Sequence, residues 1–451
     1  MRALPWPGSA PWPTHGTVFP RYGKNQEQWA PRPSSSAGNL MAGIFRSLKN
    51  YNYRLWAGGA LVSNIGTWMQ RIAQDWLVLT QLTDQNATAV GLVMALQFGP
   101  SLLLLPLTGY AADRFDRRRL LCATQAVMGT LALGLGILTL GGWIDLWHVF
   151  LFAFLLGCAT AFDGPARQTF VADLVGEEGL MNAVALNSVS FNSARLIGPA
   201  VAGVLIASVG EGWMFLLNAA SFGAVLCALG MMRPEELIKR DRLPAARGAL
   251  TEGLRYVWAR PDLLAVMLMV FLVSAFGLNF PIFISTMVVT AFDAGADSFG
   301  LLTSMMAAGS VTGALLTARR AQPLIKHLAI SSALFGTACV LAALAPGYGT
   351  FGVILVAVGV CAQTFTTSSN SLMQLSTAPH MRGRVMAIHM AILMGTTPIG
   401  APAVGWIADR FGPRWALGIA AAAGIGAAIV GFRHIRKARD AGVAPDGGRL
   451  G

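Results

Sequence analysis

Charged residues are scarce in this sequence. Only 12% of its 451 residues are Asp, Glu, Lys or Arg, whereas 54% are hydrophobic. An ordinary soluble domain contains about 25% charged residues, so this chain carries too little charge to cover a water-exposed surface. The composition therefore excludes a typical soluble protein. It favours a chain that crosses the bilayer several times, with about 20 apolar residues in each spanning helix.

Motifs that would indicate an enzyme are also lacking. The sequence contains no H-E-x-x-H zinc motif, no G-x-S-x-G nucleophile motif and no G-x-x-x-x-G-K-[ST] nucleotide-binding loop. Its five cysteines form no C-x-x-C pair and all fall in apolar segments, which is typical of buried small side chains. We therefore predict a protein that is not an enzyme and that needs neither a cofactor nor a metal ion.

Long apolar runs, by contrast, are abundant. A window of about 19 residues gives twelve candidate spans, at residues 55–80, 89–110, 120–142, 147–166, 181–208, 212–232, 264–290, 298–318, 327–345, 350–372, 384–407 and 414–432. The sequence thus predicts an all-α integral membrane protein with twelve transmembrane helices in two six-helix halves.

The polar stretch 233–262 separates the two predicted halves. Within it, Leu250, Leu254 and Val257 recur at helical spacing, so we expect a linker that contains an amphipathic helix. The N-terminal half is predicted at residues 41–232. The C-terminal half is predicted at 263–433, followed by a tail at 434–451.

Residues 1–40 differ in kind from the rest of the chain. They are rich in Pro, Ser and Trp and lack the apolar core of a signal peptide, so the composition favours disorder. Two interpretations stay open: a mobile tail, or a gene start placed too early, with Met41 as the natural first residue.

The formal net charge of +12 is distributed unevenly along the chain. Lys and Arg cluster in alternate connections and in the C-terminal tail, whereas five of the six remaining connections have none; the exception contains Arg410 and Arg414. By the positive-inside rule, both termini are predicted to be cytoplasmic. Topology accounts for the charge, and nothing indicates the soluble basic groove that nucleic-acid binding requires.

An internal repeat relates the two halves. A shift of 202 residues places Gly198, Gly203 and Gly210 on Gly400, Gly405 and Gly412. A second, weaker match sets GLVMALQFG (91–99) against GLLTSMMAAG (300–309). Two halves repeated in the same orientation are a known plan of membrane transporters.

The connection after the second span resembles a signature of the major facilitator superfamily. That signature is G-x-x-x-D-R-x-G-R-R, and this sequence has Gly109, Asp113, Arg114, Asp116 in place of the last glycine, Arg117 and Arg118. The runs LVSNIGTWMQRIAQDWLVL (61–79), FDGPARQTFVADLVG (162–176) and NAVALNSVSFNSARLIGPAVAG (182–203) resemble the drug and siderophore exporter branch, which includes macrolide efflux and enterobactin exporters.

The resemblance covers about residues 45–435 and implies a secondary active transporter. The expected function is proton-coupled export of a bulky amphipathic small molecule by alternating access. The expected form is a monomer in the bilayer of the cell membrane. Two alternatives stay open: a siderophore exporter of the same fold, and a membrane sensor that transports nothing.

The resemblance also implies functional residues. A cytoplasmic gate that latches the halves together is expected at Gly109, Asp113, Arg114, Arg117, Asp163 and Arg167. An alternative stays open, in which the charges of the loop, above all Arg117, serve only to anchor the topology. The fifth span carries a degenerate form of the exporter motif at Ala194, Gly198, Pro199, Ala202 and Gly203. Small side chains there permit close helix packing, although ordinary packing explains them equally well.

Polar residues within the spans are costly and need partners or a cavity. We expect cavity or proton-coupling residues among Asn64, Arg71, Asp75, Asn192, Arg195 and His389. Asp75 is the preferred proton carrier, because Arg71 lies four residues away on the same helix face. A permanent structural Arg71–Asp75 pair would give the same sequence pattern. The arginine that many proton-coupled drug exporters carry in the fourth span is missing here, apart from Arg167 at its margin.

Overall fold

The computed structural model describes residues 46–104, 107, 108, 111, 114–238, 249–318 and 324–440. Within these ranges the chain is almost entirely helical and contains no β-strand, which confirms the predicted all-α class. The predictions on residues 1–40, Gly109 and Asp113 lie outside the described residues.

Twelve helical segments coincide with the twelve predicted spans, and we number them in chain order. They are α1 (Tyr51–Thr80), α2 (Ala87–Leu103), α3 (Arg117–Leu140), α4 (Leu146–Glu177), α5 (Gly179–Val209), α6 (Glu211–Met231), α7 (Pro261–Ala291), α8 (Ala296–Ala318), α9 (Ile325–Ala343), α10 (Tyr348–Ser376), α11 (Arg382–Phe411) and α12 (Pro413–Asp440). Among the described residues, ten of these helices are long and apolar enough to cross a membrane. The other two are α1, which has 30 residues but a more polar composition, and the described part of α2, which has 17.

A further helix, Ala249–Trp258, lies in the polar stretch before α7, and we call it the linker helix. Its Val257 is buried as predicted, whereas Leu254, which was predicted to share the same apolar face, is exposed. Glu252 forms an ion pair with Arg384 at the start of α11 (2.8 Å). The amphipathic helix predicted in this stretch is therefore present, and it packs against the C-terminal half.

Side-chain caps begin two of the N-terminal helices. Asn50 accepts a hydrogen bond from the backbone N–H of Tyr53 (2.9 Å), and Asp116 accepts one from the backbone N–H of Arg119 (2.9 Å). Such caps satisfy backbone donors that the first turn of a helix leaves unpaired. Asp116, which replaces the glycine of the loop signature, is thus the N-cap of α3.

The repeat is visible in the connections between helices. Gly210 separates α5 from α6 with φ = 86°, and Gly412 separates α11 from α12 with φ = 98°. Residues with a Cβ rarely adopt this left-handed backbone, so the tight junction requires glycine. The two positions are related by the 202-residue shift found in the sequence.

Two helices of the C-terminal half are interrupted in mid-length. In α7, a wider turn at Val273–Gly277 precedes a break at Leu278 and Asn279, and the Asn279 side chain donates to the carbonyl of Ala275 (2.7 Å). In α11, the chain breaks at Thr396 between Arg382–Gly395 and Thr397–Phe411. Interrupted helices often mark the substrate site of a transporter, and the sequence did not predict either break.

The two halves cross closely where α5 meets α8. A Cβ on Gly203 would lie 2.8 Å from the carbonyl oxygen of Ala296, and a Cβ on Gly300 would overlap the carbonyl oxygen of Pro199. Ser304 on α8 also donates to the carbonyl of Leu196 on α5 (2.9 Å). Glycine at both crossing points therefore lets the two backbones touch.

The crossing of α2 and α11 repeats this arrangement. A Cβ on Gly91 would lie 2.5 Å from the carbonyl oxygen of Ala401, and one on Gly405 would overlap the carbonyl oxygen of Ala87. Ala401 and Gly405 follow Pro199 and Gly203 by the same 202 residues. The internal repeat thus extends to the individual contacts that join the halves.

Both crossings lie toward one end of the bundle, the end that carries the connections before α2, α6, α8 and α12. We call it the predicted outer end, because the charge distribution predicts that these connections lie outside the cell. The opposite end, with the linker helix and the start of α3, is the predicted inner end.

A central cavity as the candidate functional site

A cavity of about 190 Å³ lies between the two halves. The N-terminal half contributes Trp68, Arg71, Asp75, Phe98 and Arg195 among other residues, and the C-terminal half contributes Leu278, Phe280, Pro281, Thr303, Met306 and Thr397. Leu278 lies in the break of α7, and Thr397 follows the break of α11. The interruptions of both helices therefore border the cavity.

Arg71 on α1 packs against two aromatic rings of the cavity. Its Cζ lies 5.0 Å from the ring centroid of Trp68 and 5.6 Å from that of Phe98, distances typical of cation–π contacts. Its Nε is buried and, among the described residues, has no hydrogen-bond partner. The guanidinium is thus held by ring faces and keeps unused donor capacity.

Arg195 on α5 approaches the same indole. Its Cζ lies 5.9 Å from the ring centroid of Trp68, so two guanidiniums share one ring. Gly198 makes this possible, because a Cβ there would lie 2.7 Å from the Cβ of Trp68. The glycine of the exporter motif thus brings α5 close to α1 at the level of the cavity.

Asp75 completes the charged set. It lies one turn from Arg71 on α1 and is only 7% exposed. In the part of the chain that the structure describes, no hydrogen bond joins it to Arg71, although the two charges still attract each other. Residues four apart on a helix can meet, but here the carboxylate and the guanidinium remain separate. Arg71 and Asp75 are therefore neighbouring charges that interact electrostatically without a hydrogen bond in this structure.

The other three predicted cavity residues lie elsewhere. Asn64 donates to Ser190 (3.5 Å), and Asn192 donates to the carbonyl of Ser188 in its own helix (2.8 Å). His389 is fully buried in the C-terminal half, where its Nε2 lies 3.3 Å from the hydroxyl of Ser369. The structure brings Arg71, Asp75 and Arg195 together and keeps these three apart from them.

The small residues predicted on the fifth span form the packing face of α5. Ala194 and Ala202 are completely buried, and Gly198, Pro199 and Gly203 are buried as well. Gly198 contacts α1, whereas Pro199 and Gly203 contact α8. The motif therefore lies at the junction between the cavity wall and the partner half.

The predicted gate residues that the structure describes bind within the N-terminal half. Asp163 on α4 accepts hydrogen bonds from Thr124 (2.9 Å), Gln125 (2.8 Å) and Arg167 (2.9 Å). These partners lie on α3 and on α4 itself. Asp163 is 5% exposed, so it is the centre of a buried polar cluster between these two helices.

The arginines of the signature loop also bind within that half. One nitrogen of Arg117 lies 2.6 and 2.8 Å from the two carboxylate oxygens of Asp173. Arg114 is exposed at the same end of the bundle, whereas Gly109 and Asp113 lie outside the described residues. Within the described chain, the ion pair of Arg117 thus lies entirely in the N-terminal half.

One polar contact between the halves was not predicted from the sequence. Asp409 near the end of α11 accepts hydrogen bonds from the backbone N–H groups of Ala87 (2.7 Å) and Thr88 (2.8 Å) at the start of α2. An acidic side chain at a helix N-terminus compensates the partial positive charge there. In the sequence, Asp409 follows a glycine-containing segment that suggests close helix packing, but this pattern does not indicate which helix Asp409 contacts.

A membrane-spanning bundle of two repeated halves around a shared, charged cavity defines a secondary transporter. The chain belongs to the Transmembrane secretion effector family of the major facilitator superfamily, whose family model matches residues 42–446. Members of this superfamily are transporters rather than enzymes.

Individual relatives agree with this assignment. The chain is 28% identical over 353 residues to the Staphyloferrin A transporter of Staphylococcus aureus (strain NCTC 8325 / PS 47), covering 77% of this chain and 87% of that one. It is 26% identical over 363 residues to the multidrug efflux pump Tap of Mycobacterium tuberculosis (strain ATCC 25618 / H37Rv), covering 78% and 86%. Its fold is similar to that of a bacterial homolog of the human lysosomal transporter Spinster, with a TM-score of 0.69, 13% identity, and coverage of 86% and 97%.

Proposed function

We propose that the protein exports an amphipathic small molecule across the cell membrane in exchange for protons. The observation that carries this proposal is the charged, aromatic cavity that both halves line together. Such a site can open to one side of the membrane at a time when the two halves rock around it. The family assignment supports the same alternating-access mechanism.

We assign the structure to an inward-open state. The glycine crossings and Asp409 join the halves at the predicted outer end. Toward the predicted inner end, Ser188 is exposed and lies on the same face of α5 as Arg195, seven residues further along. A polar stripe is costly against lipid, so this face supports a water-filled passage from the cavity to the cytoplasmic side.

The predicted cytoplasmic gate fits this state as a released latch. We propose that Gly109, Asp113, Arg114, Arg117, Asp163 and Arg167 act at the inner end when the carrier faces outward. In the inward-open state, Arg117 and Asp163 have partners within their own half. Closing the inner end would bring this polar surface against the C-terminal half.

Asp75 is the proposed proton site. With no nucleotide-binding motif, the protein needs an ion gradient, and one charge that crosses 100 mV supplies about 2.3 kcal/mol. Asp75 lines the cavity without a fixed partner and lies close to the outer end of α1. Protons from outside would neutralise it in the outward-facing state, and the cytoplasm would receive them in the inward-facing state.

The cavity surface indicates the kind of substrate. Trp68, Phe98 and Phe280 provide aromatic faces, and Met94 and Met306 provide adaptable apolar surface. We propose a drug-like amphipathic molecule, in line with the multidrug efflux relative. A siderophore is the second candidate, favoured by the Staphyloferrin A relative together with the two cavity arginines.

We further propose that one copy of the chain is sufficient for transport, because the cavity lies within a single chain. Both termini would lie in the cytoplasm, and the protein's partners would be the bilayer, the substrate and protons. His389, Asn64 and Asn192 would then have structural roles, since they lie outside the cavity lining.

Transport by inside-out membrane vesicles tests the proposal. The vesicle lumen corresponds to the cell exterior, so an acidic lumen should drive uptake of at least one compound among ethidium, tetracycline and norfloxacin. Uptake should stop when nigericin dissipates the proton gradient, and vesicles without the protein should show none. Uptake of none of these compounds by wild-type vesicles would contradict the proposal.

A further inference from the structure

We propose, on the basis of the export function proposed above, that the transported molecule is dipolar. Its anionic group binds between Arg71 and Arg195, and a positively charged hydrogen-bond donor of the same molecule binds Asp75. The ligand class is therefore an amphipathic zwitterion, such as an aromatic compound that carries both a carboxylate and an ammonium group.

The charge balance of the cavity requires an anion. Its lining contains two arginines and one aspartate, and every other lining residue is neutral. The surplus is one positive charge when Asp75 is ionised and two when it is neutral. Charge held away from water is costly without a partner, so a substrate with an anionic group stabilises this site better than a cation does.

The two guanidiniums are arranged to bind such a group together. Both lie against Trp68, with Cζ-to-centroid distances of 5.0 Å for Arg71 and 5.9 Å for Arg195. Arg71 Nε is buried and, among the described residues, donates to nothing. A planar guanidinium binds carboxylates through paired N–H donors, so these free donors fit a carboxylate beside the indole.

Asp75 supplies the opposite pole. It belongs to the same cavity and, in the described part of the chain, its carboxylate accepts no hydrogen bond from Arg71, with which it interacts only through charge. Four residues, about 6 Å along the helix axis, separate its Cα from that of Arg71. A molecule that spans this distance can contact both charges at once.

Exchange with protons demands this second contact. Protonation of Asp75 makes the cavity more positive, so a purely anionic substrate would bind more tightly at the acidic outer side and fail to leave. A positively charged donor of the substrate that binds Asp75 gives the opposite pH dependence of binding, because protonation of Asp75 removes the charge that the donor binds. Only a substrate with both an anionic and a cationic group compensates the net positive charge of the cavity and is also released by protonation of Asp75.

Binding of three forms of one scaffold tests the proposal. The probes are norfloxacin, which is a zwitterion near pH 7.5, its ethyl ester, which is a cation, and N-acetylnorfloxacin, which is an anion. Fluorescence anisotropy gives each affinity for the full-length protein in lipid nanodiscs. Norfloxacin should bind at least about tenfold more tightly than the ester, since truncation of a buried charge pair costs at least that factor.

Variants assign each pole to its residue. Arg195→Gln should weaken norfloxacin and N-acetylnorfloxacin by at least about tenfold and leave the ester unchanged, whereas Arg195→Lys should restore part of the loss. Asp75→Asn should weaken norfloxacin and the ester but not N-acetylnorfloxacin. It should also reduce the weakening of norfloxacin binding at acidic pH to the part that protonation of the drug's own carboxylate causes. Arg436→Gln, an exposed arginine at the end of α12, is the matched control and should change none of these affinities.

Equal binding of the three forms, preference for the ester, or no measurable binding of any form would overturn the dipolar substrate. So would an Arg195→Gln variant that weakens all three forms alike. These results leave the export function intact if proton-driven uptake of ethidium or tetracycline is observed. Loss of uptake for every compound would instead refute the export function itself.

Discussion

Asp409 binds Thr88 across the interface of the two halves, at the end of the bundle where they are closed. Its carboxylate accepts the backbone N–H of Thr88 at 2.8 Å and that of the preceding Ala87 at 2.7 Å. The position related to Asp409 by the repeat is Ala207, 202 residues earlier. Among the described residues, the α5–α8 crossing therefore has no equivalent cap at this position, and Asp409 is a solvent-exposed charged contact at the predicted outer end.

Asp409→Asn should favour the outward-open state. The asparagine keeps one acceptor but loses the charge that faces the start of α2, at a cost of about 1 kcal/mol for an exposed site. A cysteine placed at Thr303 in the cavity, with the five native cysteines replaced by alanine, reports the shift. Its labelling by an impermeant maleimide from outside should rise about fivefold. Asp145→Asn, which removes a carboxylate that is 70% exposed before α4, should leave the labelling rate unchanged.

Gly300→Ala should abolish transport while the protein still reaches the membrane. The added Cβ would overlap the carbonyl oxygen of Pro199, which prevents α5 and α8 from closing the outer end. Gly223→Ala is the matched control, because a Cβ at that helical position meets nothing within 4 Å. Norfloxacin uptake by vesicles with equal amounts of each variant measures the effect. If uptake by Gly300→Ala equals that of the control, close packing of α5 against α8 is not needed to close the outer end.

Asp163→Ala should destabilise the N-terminal half. Asp163 is buried and accepts hydrogen bonds from three side chains, one of them Arg167. Removal of one partner of a buried charge pair costs about 3 kcal/mol, so the midpoint of thermal unfolding in detergent should fall by several degrees. Asp145→Asn removes a carboxylate that is 70% exposed and should shift the midpoint little. An unchanged midpoint for Asp163→Ala would show that the cluster contributes nothing to stability.

Helix positions were readable from the sequence because the bilayer imposes a simple rule. Each span needs a long apolar run, and all twelve predicted segments coincide with helices. The helices extend beyond those runs, as α4 does to Glu177, because polar helix ends outside the hydrocarbon leave no hydropathy signal. The break of α7 at Asn279 was invisible for a related reason: the residues around it are apolar and keep the hydropathy high.

The candidate site was only partly predictable. Periodicity placed Arg71 and Asp75 on one face of α1, and both line the cavity. Asn192 shares the polar stripe of Arg195, yet it bonds to its own helix. Whether Arg71 and Asp75 touch depends on rotamers and on the aromatic rings that compete for the guanidinium, and spacing along a helix does not contain that information. Contacts between helices distant in sequence, such as Asp409 with Thr88, were out of reach for the same reason.

The central claim is that Asp75 couples export to proton entry, and one measurement tests it most directly. Inside-out vesicles are prepared with wild-type protein, Asp75→Asn or the exposed control Asp84→Asn in the membrane. Accumulation of norfloxacin is measured with an acidic lumen, and its equilibration across the membrane is measured without a pH gradient. We predict that wild type and Asp84→Asn concentrate norfloxacin. Asp75→Asn should equilibrate norfloxacin across the membrane but never concentrate it. Accumulation by Asp75→Asn as steep as that of wild type would contradict the account.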